Sequence, residues 1–347
     1  MQSTRVPRIQ TRPELATAAN ISHTYRGLSL LWALFIATSA WSQTAPDFRR
    51  AHRQPPNPST AALLTTPTSN AKTCTDYKFI IIDADGSTNA VADGINNNGL
   101  VSGYYEDSSS VYHGFVWRDY VFTNVDYPGA AYTKLYSLND WGLVIGLYGN
   151  NSGTAEHTVI YSAQDRKWTA LPDVAGYPYN EGYGINDDGV AVGNAFASSG
   201  SSVAWIWDPA AHSYTFFTIP GAAEYTTSPS GLNDKGQIAG YFADASGVYH
   251  GFLKEYGTYT IIDVPAAPYT FIDGLNNNGT IQGQLYDAEF YAEGFVATSG
   301  GLFTIVNYPS AANAALVGIN DRGDVSGSYW ESFGVNTAFI ALRSECL

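Results

Sequence analysis

Cysteine and positive charge are both scarce in this sequence, and each shortage excludes a class of protein. The chain has two cysteines, Cys74 and Cys346, in 347 residues, which excludes a CxxC redox or zinc site. From residue 74 onward, nine Lys and Arg stand against 29 Asp and Glu. Nucleic acid and anionic membrane surfaces are therefore poor partners for this part of the chain. The acidic excess favours solubility, cation binding, or a basic or neutral ligand.

Familiar catalytic and metal-binding motifs are missing as well. The sequence contains no Gly-x-Ser-x-Gly elbow, His-Glu-x-x-His pair, Walker loop or Rossmann glycine run. Its repeated Asn-Asp-x-Gly turns share residue types with calcium loops, but each has at most two carboxylates and lacks the distal Glu of an EF-hand. The sequence therefore predicts no cofactor and no metal, with Ca²⁺ as an alternative that no motif supports, and enzymatic activity is not favoured.

No apolar run is long enough to favour a membrane span. The most apolar stretch, 27–40, follows Arg26 and is shorter than the about 20 residues that cross a bilayer. Ala40-Trp41-Ser42 then supplies a small-x-small cleavage pattern. We expect a signal peptide over 1–42, with an uncleaved anchor as the alternative, and a secreted or periplasmic bacterial protein without a membrane span in its mature form. Residues 43–73, rich in Pro, Ser and Thr, predict a linker.

What the sequence does have is a short phrase that occurs six times. Its first Asn recurs at intervals of 43, 47, 47, 43 and 44 residues. Spacing of this kind is typical of a propeller blade with four short strands. The six copies are Gly94–Gly99, Ser137–Gly142, Gly184–Gly189, Gly231–Gly236, Gly274–Gly279 and Gly318–Gly323.

The segments between the turns have the composition of β-strands. In the first unit, residues 100–105, 112–117, 121–126 and 132–138 are rich in β-branched and aromatic residues and are bounded by Gly, Pro, Asn, Asp or Ser. The sixth unit lacks its last strand, whereas an extra copy, Phe79–Asp83, precedes the first turn. The sequence thus predicts an all-β, six-bladed propeller over 74–347, four strands per blade, with the last blade closed by the N-terminal strand.

Cys74 and Cys346 flank the two strands that would close the ring. If those strands pair as a hairpin, the cysteines lie opposite each other, and a disulfide would link the ends of the array. In the chain-entropy model such a link contributes up to roughly 5 kcal/mol. Two free thiols are the alternative.

His113-Gly114-Phe115-Val116-Trp117 and His250-Gly251-Phe252-Leu253 each follow one of the repeated turns. Together with those turns they resemble the HAF-type extracellular repeats of bacterial secreted proteins, over residues 74–347. The chain has Gly where that pattern has Ala, and Glu293 where it has His. The resemblance implies export and a repeat fold, but no particular reaction. We expect His113, His157 and His250 to be hydrogen-bonding struts between blades.

Candidate ligand-binding residues are those that differ between the units, because positions needed by the fold should repeat. Along the innermost strand the two positions that vary most carry charged or tyrosine side chains in some units and small or apolar ones in others. Charges near a propeller axis cost desolvation energy unless they are paired or used. The predicted axial site consists of Asp93, Lys134, Tyr136, Glu181, Tyr183 and Asp273. A plain salt bridge between Lys134 and Glu181 is the alternative.

A second candidate surface lies in the loops between second and third strands, where carboxylates adjoin aromatic residues. Such a combination suits sugar stacking with hydrogen bonds to hydroxyls, but for any single aromatic residue packing between blades is the favoured explanation. The carboxylates are Glu106, Asp107, Glu156, Asp244, Asp287, Glu289 and Glu331.

Three functions remain open. The first is a secreted, monomeric binding or cell-surface module for an extracellular glycan or another envelope component. The second is a polysaccharide hydrolase or lyase with carboxylates at the axial mouth, and the third is a structural scaffold for protein interaction.

Overall fold

The computed structural model describes residues 62–63, 76–84, 87, 89–150, 152–286, 291–331 and 335–344. The predicted signal peptide, most of the predicted linker, and both cysteines lie outside the described residues. Within the described part no helix is long and apolar enough to cross a membrane.

The described chain is built from 25 short strands, which confirms the all-β prediction. They are β1 (Ala62–Leu63), β2 (Tyr77–Ile81), β3 (Asn89–Ile95), β4 (Val101–Glu106), β5 (Tyr112–Arg118), β6 (Val121–Asn124), β7 (Tyr132–Leu138), β8 (Leu143–Gly149), β9 (Glu156–Ser162), β10 (Lys167–Ala170), β11 (Tyr179–Ile185), β12 (Ala191–Phe196), β13 (Ser202–Asp208), β14 (Ser213–Phe217), β15 (Ser228–Leu232), β16 (Ile238–Ala243), β17 (Tyr249–Glu255), β18 (Thr258–Asp263), β19 (Tyr269–Leu275), β20 (Ile281–Tyr286), β21 (Ala292–Ala297), β22 (Phe303–Ile305), β23 (Asn313–Ile319), β24 (Val325–Trp330) and β25 (Thr337–Arg343).

Antiparallel pairing joins these strands four at a time. Group one is β3 to β6, group two β7 to β10, group three β11 to β14, group four β15 to β18 and group five β19 to β22. A single parallel bridge between Tyr179 and Glu156 links groups two and three into one larger sheet. The short β1 adds to the outer edge of group four, parallel to β18.

Group six is composed of strands from both ends of the described chain. It consists of β23, β24 and β25, with β2 paired antiparallel to β25 from Tyr77 opposite Arg343 to Ile81 opposite Phe339. Just beyond this pairing, the backbone N–H of Ser344 donates to the carbonyl of Asp76 at 2.9 Å.

The core lies between the faces of adjacent groups. In five of the six groups the third strand places one large side chain in the middle of its sheet, and these side chains are fully buried: Phe115, Trp205, Phe252, Phe295 and Phe339, with the smaller Val159 at this position in group two. Phe115 belongs to a cluster that also contains Ile340 of group six, while Leu135 of group two packs with Val125 of group one. Burying a side chain of this size contributes about 1.5–3 kcal/mol.

A glycine in the second strand lets the two inner strands of each group approach closely. A Cβ atom on Gly103 would lie 2.1 Å from the carbonyl oxygen of Val91, where no substitution is accommodated without a backbone shift. The β3–β4 register shifts beside this point, between Ala92 and Gly94. The glycine repeat therefore marks both a bulge and a close backbone contact.

Candidate functional site

The six repeated turns contact one another through their first Asn. In each case the Nδ2 amide donates to the backbone carbonyl of the matching Asn in the next turn, and the sixth donates back to the first. The donors and acceptors are Asn96 to Asn139, Asn139 to Asn186, Asn186 to Asn233, Asn233 to Asn276, Asn276 to Asn320 and Asn320 to Asn96, at 2.9–3.3 Å. The Oδ1 atom of the same residue accepts backbone N–H groups of its own turn, as from Leu143 to Asn139 at 2.9 Å. The side chain must supply both a donor and an acceptor, which explains why Asn occupies this position in all six turns.

The next residue of each turn forms a second set of contacts. Its backbone N–H donates to the Oδ1 atom of the matching residue in the next turn at 2.8–2.9 Å. The sequence runs Asn97, Asp140, Asp187, Asp234, Asn277, Asp321 and back to Asn97. Only an acceptor is needed, so Asp and Asn both occur. Sequence reasoning explained the phrase as turn chemistry and missed this contact between turns, although the difference in Asp and Asn usage between the two positions was visible.

A cavity of about 60 Å³ lies inside these two sets of contacts. Asn97 donates to the Oδ2 atoms of both Asp140 and Asp321, at 2.7 and 2.9 Å, and separates their charges. Asp187 has carboxylates on both sides, and burial together with Asp234 and Asp140 raises its pKa. Within the described part of the chain no group of three or more His, Cys, Asp or Glu side chains is arranged to hold a metal ion.

Five of the six predicted axial residues come together with further polar side chains. Lys134 and Glu181 lie on neighbouring inner strands, and the rings of Tyr136 and Tyr183 are 5.6 Å apart in edge contact. The hydroxyl of Tyr183 donates to Glu181 at 2.7 Å. Asp93 is near enough to act on the pKa of Lys134. Together with Tyr132 and Glu156 these residues form a polar cluster, which we call the axial cluster: Asp93, Tyr132, Lys134, Tyr136, Glu156, Glu181 and Tyr183.

Lys134 is the cation of the axial cluster and is only 4% exposed. Its Nζ atom lies 4.1 Å from the ring centre of Tyr112 and 5.4 Å from that of Tyr104, which is cation–π geometry. Burial lowers the pKa of Lys134, and the carboxyl groups of Glu156 and Glu181 oppose that effect. Both aromatic rings and acidic side chains therefore surround the ammonium group of Lys134.

Glu156 is the member of the cluster whose position sequence reasoning mistook. It was assigned to a surface loop, but it begins β9 and is only 3% exposed. Its Oε1 atom accepts from the hydroxyl of Tyr132 at 2.5 Å. Burial, together with the nearby Glu181 carboxylate, raises the pKa of Glu156 to about 8, so the side chain is mostly protonated at neutral pH.

Asp273, the sixth predicted axial residue, has polar neighbours on the second strand of its own group, β20. Its Oδ2 atom accepts from Nε2 of Gln284 at 3.1 Å, and Gln284 in turn accepts from the hydroxyl of Tyr286 at 3.3 Å. Burial and the Asp273 carboxylate raise the pKa of Tyr286.

A groove of about 450 Å³ opens between groups one and two, beside the turns. Trp141, whose side chain is 68% exposed, forms one wall. Arg118 at the end of β5 and Arg166 in the β9–β10 turn provide charge, and Tyr161 and Val116 provide apolar surface. The remaining lining residues are Asn96, Asn98, Leu100, Val121, Thr123, Asp140, Gly142, Ala163 and Gln164.

The aromatic wall of this groove is specific to one repeat. The residue at the position of Trp141 is Asn98, Asp188, Lys235, Asn278 or Arg322 in the other turns. A large exposed aromatic side chain there has no part in the contacts between turns described above. Comparison of the repeats at this turn position would have drawn attention to Trp141, but sequence reasoning compared only the inner strands.

The repeated histidines form hydrogen bonds within their own groups, not between groups as expected. Nδ1 of His113 lies 2.9 Å from Asp126, two residues after the fourth strand of its group, and Nδ1 of His250 lies 2.9 Å from Asp263, the last residue of the fourth strand of its group. Nε2 of His113 lies 3.4 Å from Asp107 in the preceding loop. The histidines therefore form hydrogen-bonding struts, but these struts join parts of one group and not two neighbouring groups.

Comparison with known proteins gives a fold and no family. No protein-family model matches the chain, and no curated protein matches it, so the HAF-type resemblance stays a prediction. TolB from Acinetobacter baumannii matches with a TM-score of 0.51 and 10% identity, over 70% of this chain and 63% of TolB. The SapL1 lectin, solved with alpha methyl fucoside, matches with a TM-score of 0.50 and 11% identity, over 75% of this chain and 94% of that lectin. The chain is similar in fold to β-propeller proteins.

Proposed function

We propose that this protein is a secreted, six-bladed β-propeller that binds carbohydrate. The six four-strand groups would be the blades, and the pairing of β2 with β25 would close the last of them. The contacts between turns support this arrangement, since they run through all six turns and return from Asn320 to Asn96. A propeller of this kind leaves few unprotected strand edges.

A disulfide between Cys74 and Cys346 is part of the proposal. The support is the hydrogen bond between Ser344 and Asp76, because each cysteine is two residues beyond it in sequence. Non-reducing peptide mapping of the secreted protein should recover the two cysteines in one linked pair. Recovery of two alkylated thiols from native protein would rule the bridge out.

The groove between groups one and two is the observation that carries the carbohydrate-binding proposal. Its volume of about 450 Å³ is within the range of small-ligand sites, about 300–1,000 Å³. Trp141 offers an exposed aromatic face, on which the apolar face of a sugar ring packs, while Gln164 and Thr123 offer hydrogen-bonding groups for hydroxyls. The SapL1 lectin gives a precedent for sugar binding on this fold.

A glycan array with purified protein tests this function. Wild-type protein should bind a defined subset of glycans, and Trp141→Ala should lower that binding at least about tenfold, the equivalent of roughly 1.4 kcal/mol. Tyr256→Ala is the matched control, because Tyr256 is an 87% exposed aromatic residue in a turn of group four, outside the groove lining. Equal binding by the two variants, or no binding by wild type, would contradict the proposal.

Hydrolysis or elimination at the axial cluster is the second candidate function. It is favoured by one observation, the pKa of Glu156, which burial and the neighbouring Glu181 carboxyl group raise to about 8. A carboxyl group with such a pKa can donate a proton near neutral pH. The predicted ligand residues Asp93, Lys134, Tyr136 and Tyr183 surround this pair. Release of oligosaccharide products from a polysaccharide panel, lost in Glu156→Gln, would support catalysis.

A further inference from the structure

The charge of the groove departs from that of the rest of the folded chain. Residues 74–347 carry nine Lys and Arg against 29 Asp and Glu, yet two of those nine, Arg118 and Arg166, line this one groove. The only acidic side chain in the lining is Asp140. Formal charge in the lining is therefore positive on a protein whose folded part is strongly negative.

Asp140 is hydrogen-bonded to the neighbouring turn and not to either arginine of the groove. Its Oδ1 atom accepts from the backbone N–H of Asn97 at 2.8 Å, and its Oδ2 atom accepts from Nδ2 of the same residue at 2.7 Å. Both oxygens are thus held in the contacts between turns. Asp140 serves the turn, whereas the arginines have no such role.

Arg118 and Arg166 are both accessible. Nε of Arg118 lies 3.6 Å from Asp119 in an ion pair whose side chains are 56% and 90% exposed, which is a weak, solvent-screened contact. Arg166 is exposed and adopts φ 56°, and its backbone N–H donates to the carbonyl of Ser162 at 2.8 Å. The backbone of the turn is thereby anchored, and the guanidinium group is available to a ligand.

Neither arginine is explained by the repeat. The position of Arg118 is Ser162, Asp208, Glu255, Thr298 or Leu342 in the other groups. The left-handed position just before the fourth strand, held by Arg166 in group two, is taken by Tyr120, His212 and Gly257 in groups one, three and four. Trp141, Arg118 and Arg166 therefore come together in the groove as three departures from the repeat, contributed by two adjacent groups.

We propose that the groove binds an acidic sugar unit, a uronate, within a larger glycan. The carboxylate would be held by the guanidinium groups of Arg118 and Arg166, since arginine forms paired, charge-assisted hydrogen bonds with carboxylates. The sugar ring would pack on Trp141. This inference rests on the proposed carbohydrate-binding function and adds the chemical class of the ligand, which differs from the neutral or basic ligand that the overall acidity favours.

The test compares matched charged and neutral oligosaccharides by isothermal titration calorimetry. Oligogalacturonate and its methyl ester have the same rings and differ in charge, and a panel of other uronate-containing and neutral glycans on an array extends the comparison. Wild type should prefer the acidic member of each pair at least about tenfold. This preference should fall between 50 and 500 mM NaCl, because salt screens the contact between exposed charges.

The variants assign that preference to the groove. Arg118→Gln with Arg166→Gln should abolish the preference for the acidic glycan, while Lys167→Gln should keep it, because Lys167 is exposed and adjacent to Arg166 but outside the lining. If neutral glycans bind equally well and Trp141→Ala still weakens them, the carbohydrate function stands and the uronate proposal is wrong. If no glycan of either kind binds, both are wrong.

Discussion

Asn97 accepts a hydrogen bond at Oδ1 from the backbone N–H of Asp321 at 2.8 Å, across 224 residues of sequence. With the bond from Asn320 to the carbonyl of Asn96, it connects the last repeat to the first. The side chains of two adjacent turn residues thus have different requirements. The first must supply both a hydrogen-bond donor and an acceptor, and the second only an acceptor. Two substitutions with opposite expected effects follow from this division.

Asn139→Asp should destabilise the protein. The buried Nδ2 atom of Asn139 donates to the carbonyl of Asn186 at 2.9 Å, and aspartate can no longer supply that donor. The new carboxylate would also face a carbonyl oxygen in a buried site. We expect a loss of about 1–3 kcal/mol in the free energy of unfolding, measured by urea denaturation at pH 7. Asn98→Asp is the control, because it removes a donor to the carbonyl of Asp140 at 2.9 Å from an exposed position, and an equal effect of both variants would contradict the role assigned to the buried contact.

Asp187→Asn should stabilise the protein at neutral pH. The raised pKa of Asp187, caused by burial and the flanking Asp234 and Asp140, means that its charge opposes folding. An asparagine keeps the Oδ1 acceptor, as Asn97 and Asn277 do at this position, and adds a donor for neighbouring carboxylates. The gain should be about 0.5 kcal/mol at pH 7 and should shrink as the pH falls and the wild-type carboxyl takes up its proton. A lower melting temperature for the variant at pH 7 would contradict this reasoning.

The fold was predictable because the repeat carries redundant information. Six turns with near-constant spacing give six independent indications of the same four-strand unit, and the surplus strand at Phe79–Asp83 followed from counting. The axial cluster was predictable in part, because Lys134 and Glu181 interrupt an otherwise small or apolar position on the inner strands.

What could not be predicted depends on contacts between groups. Glu156 looked like a loop residue from its polar neighbours, but Tyr132, from the first strand of the same group, closes over it. The groove needs Arg118 from group one beside Trp141 and Arg166 from group two, and no local pattern in either segment indicates that meeting. The hydrogen-bond partners of the histidines were predicted wrongly for a related reason. A sequence repeat does not reveal whether a side chain bonds within its own sheet or to the next one.

The pairing of His250 with Asp263 gives a pH-dependent contribution to stability. The hydrogen bond to Asp263, followed by its charge and that of Asp244, raises the pKa of His250. A raised histidine pKa stabilises the folded state fully below the unfolded value of about 6.5, and this stabilisation is lost as the pH rises through the folded value. His250→Gln should therefore cost about 1 kcal/mol at pH 5 and less at pH 8, measured by thermal denaturation.

His212→Asn is the control for that measurement. His212 is an exposed turn residue with φ 48°, a conformation that asparagine tolerates, and no ion pair of His212 with a carboxylate is found among the described residues. Its effect should not grow as the pH falls. A pH-independent loss in His250→Gln would mean that packing, and not charge, accounts for the contact.

Glu156 should make the protein less stable as the pH rises. Its pKa is raised from the ordinary 4.5 to about 8 by burial and by the Glu181 carboxylate, so the folded state holds a proton that the unfolded state releases. The contribution of this proton is fully present below about pH 4.5 and is lost as the pH rises through about 8.

Glu156→Gln resembles the protonated side chain, and its Oε1 atom can still accept from the hydroxyl of Tyr132. The variant should match wild type at pH 5 and exceed it in melting temperature by several degrees at pH 8.5. Glu224→Gln makes the same chemical change at an exposed position and should leave the difference between the two pH values unaltered. A Glu156→Gln protein whose stability falls with pH as steeply as that of wild type would show that this carboxyl is already ionised in the folded protein at neutral pH, and the proton-donor role considered for the axial cluster would then lose its basis.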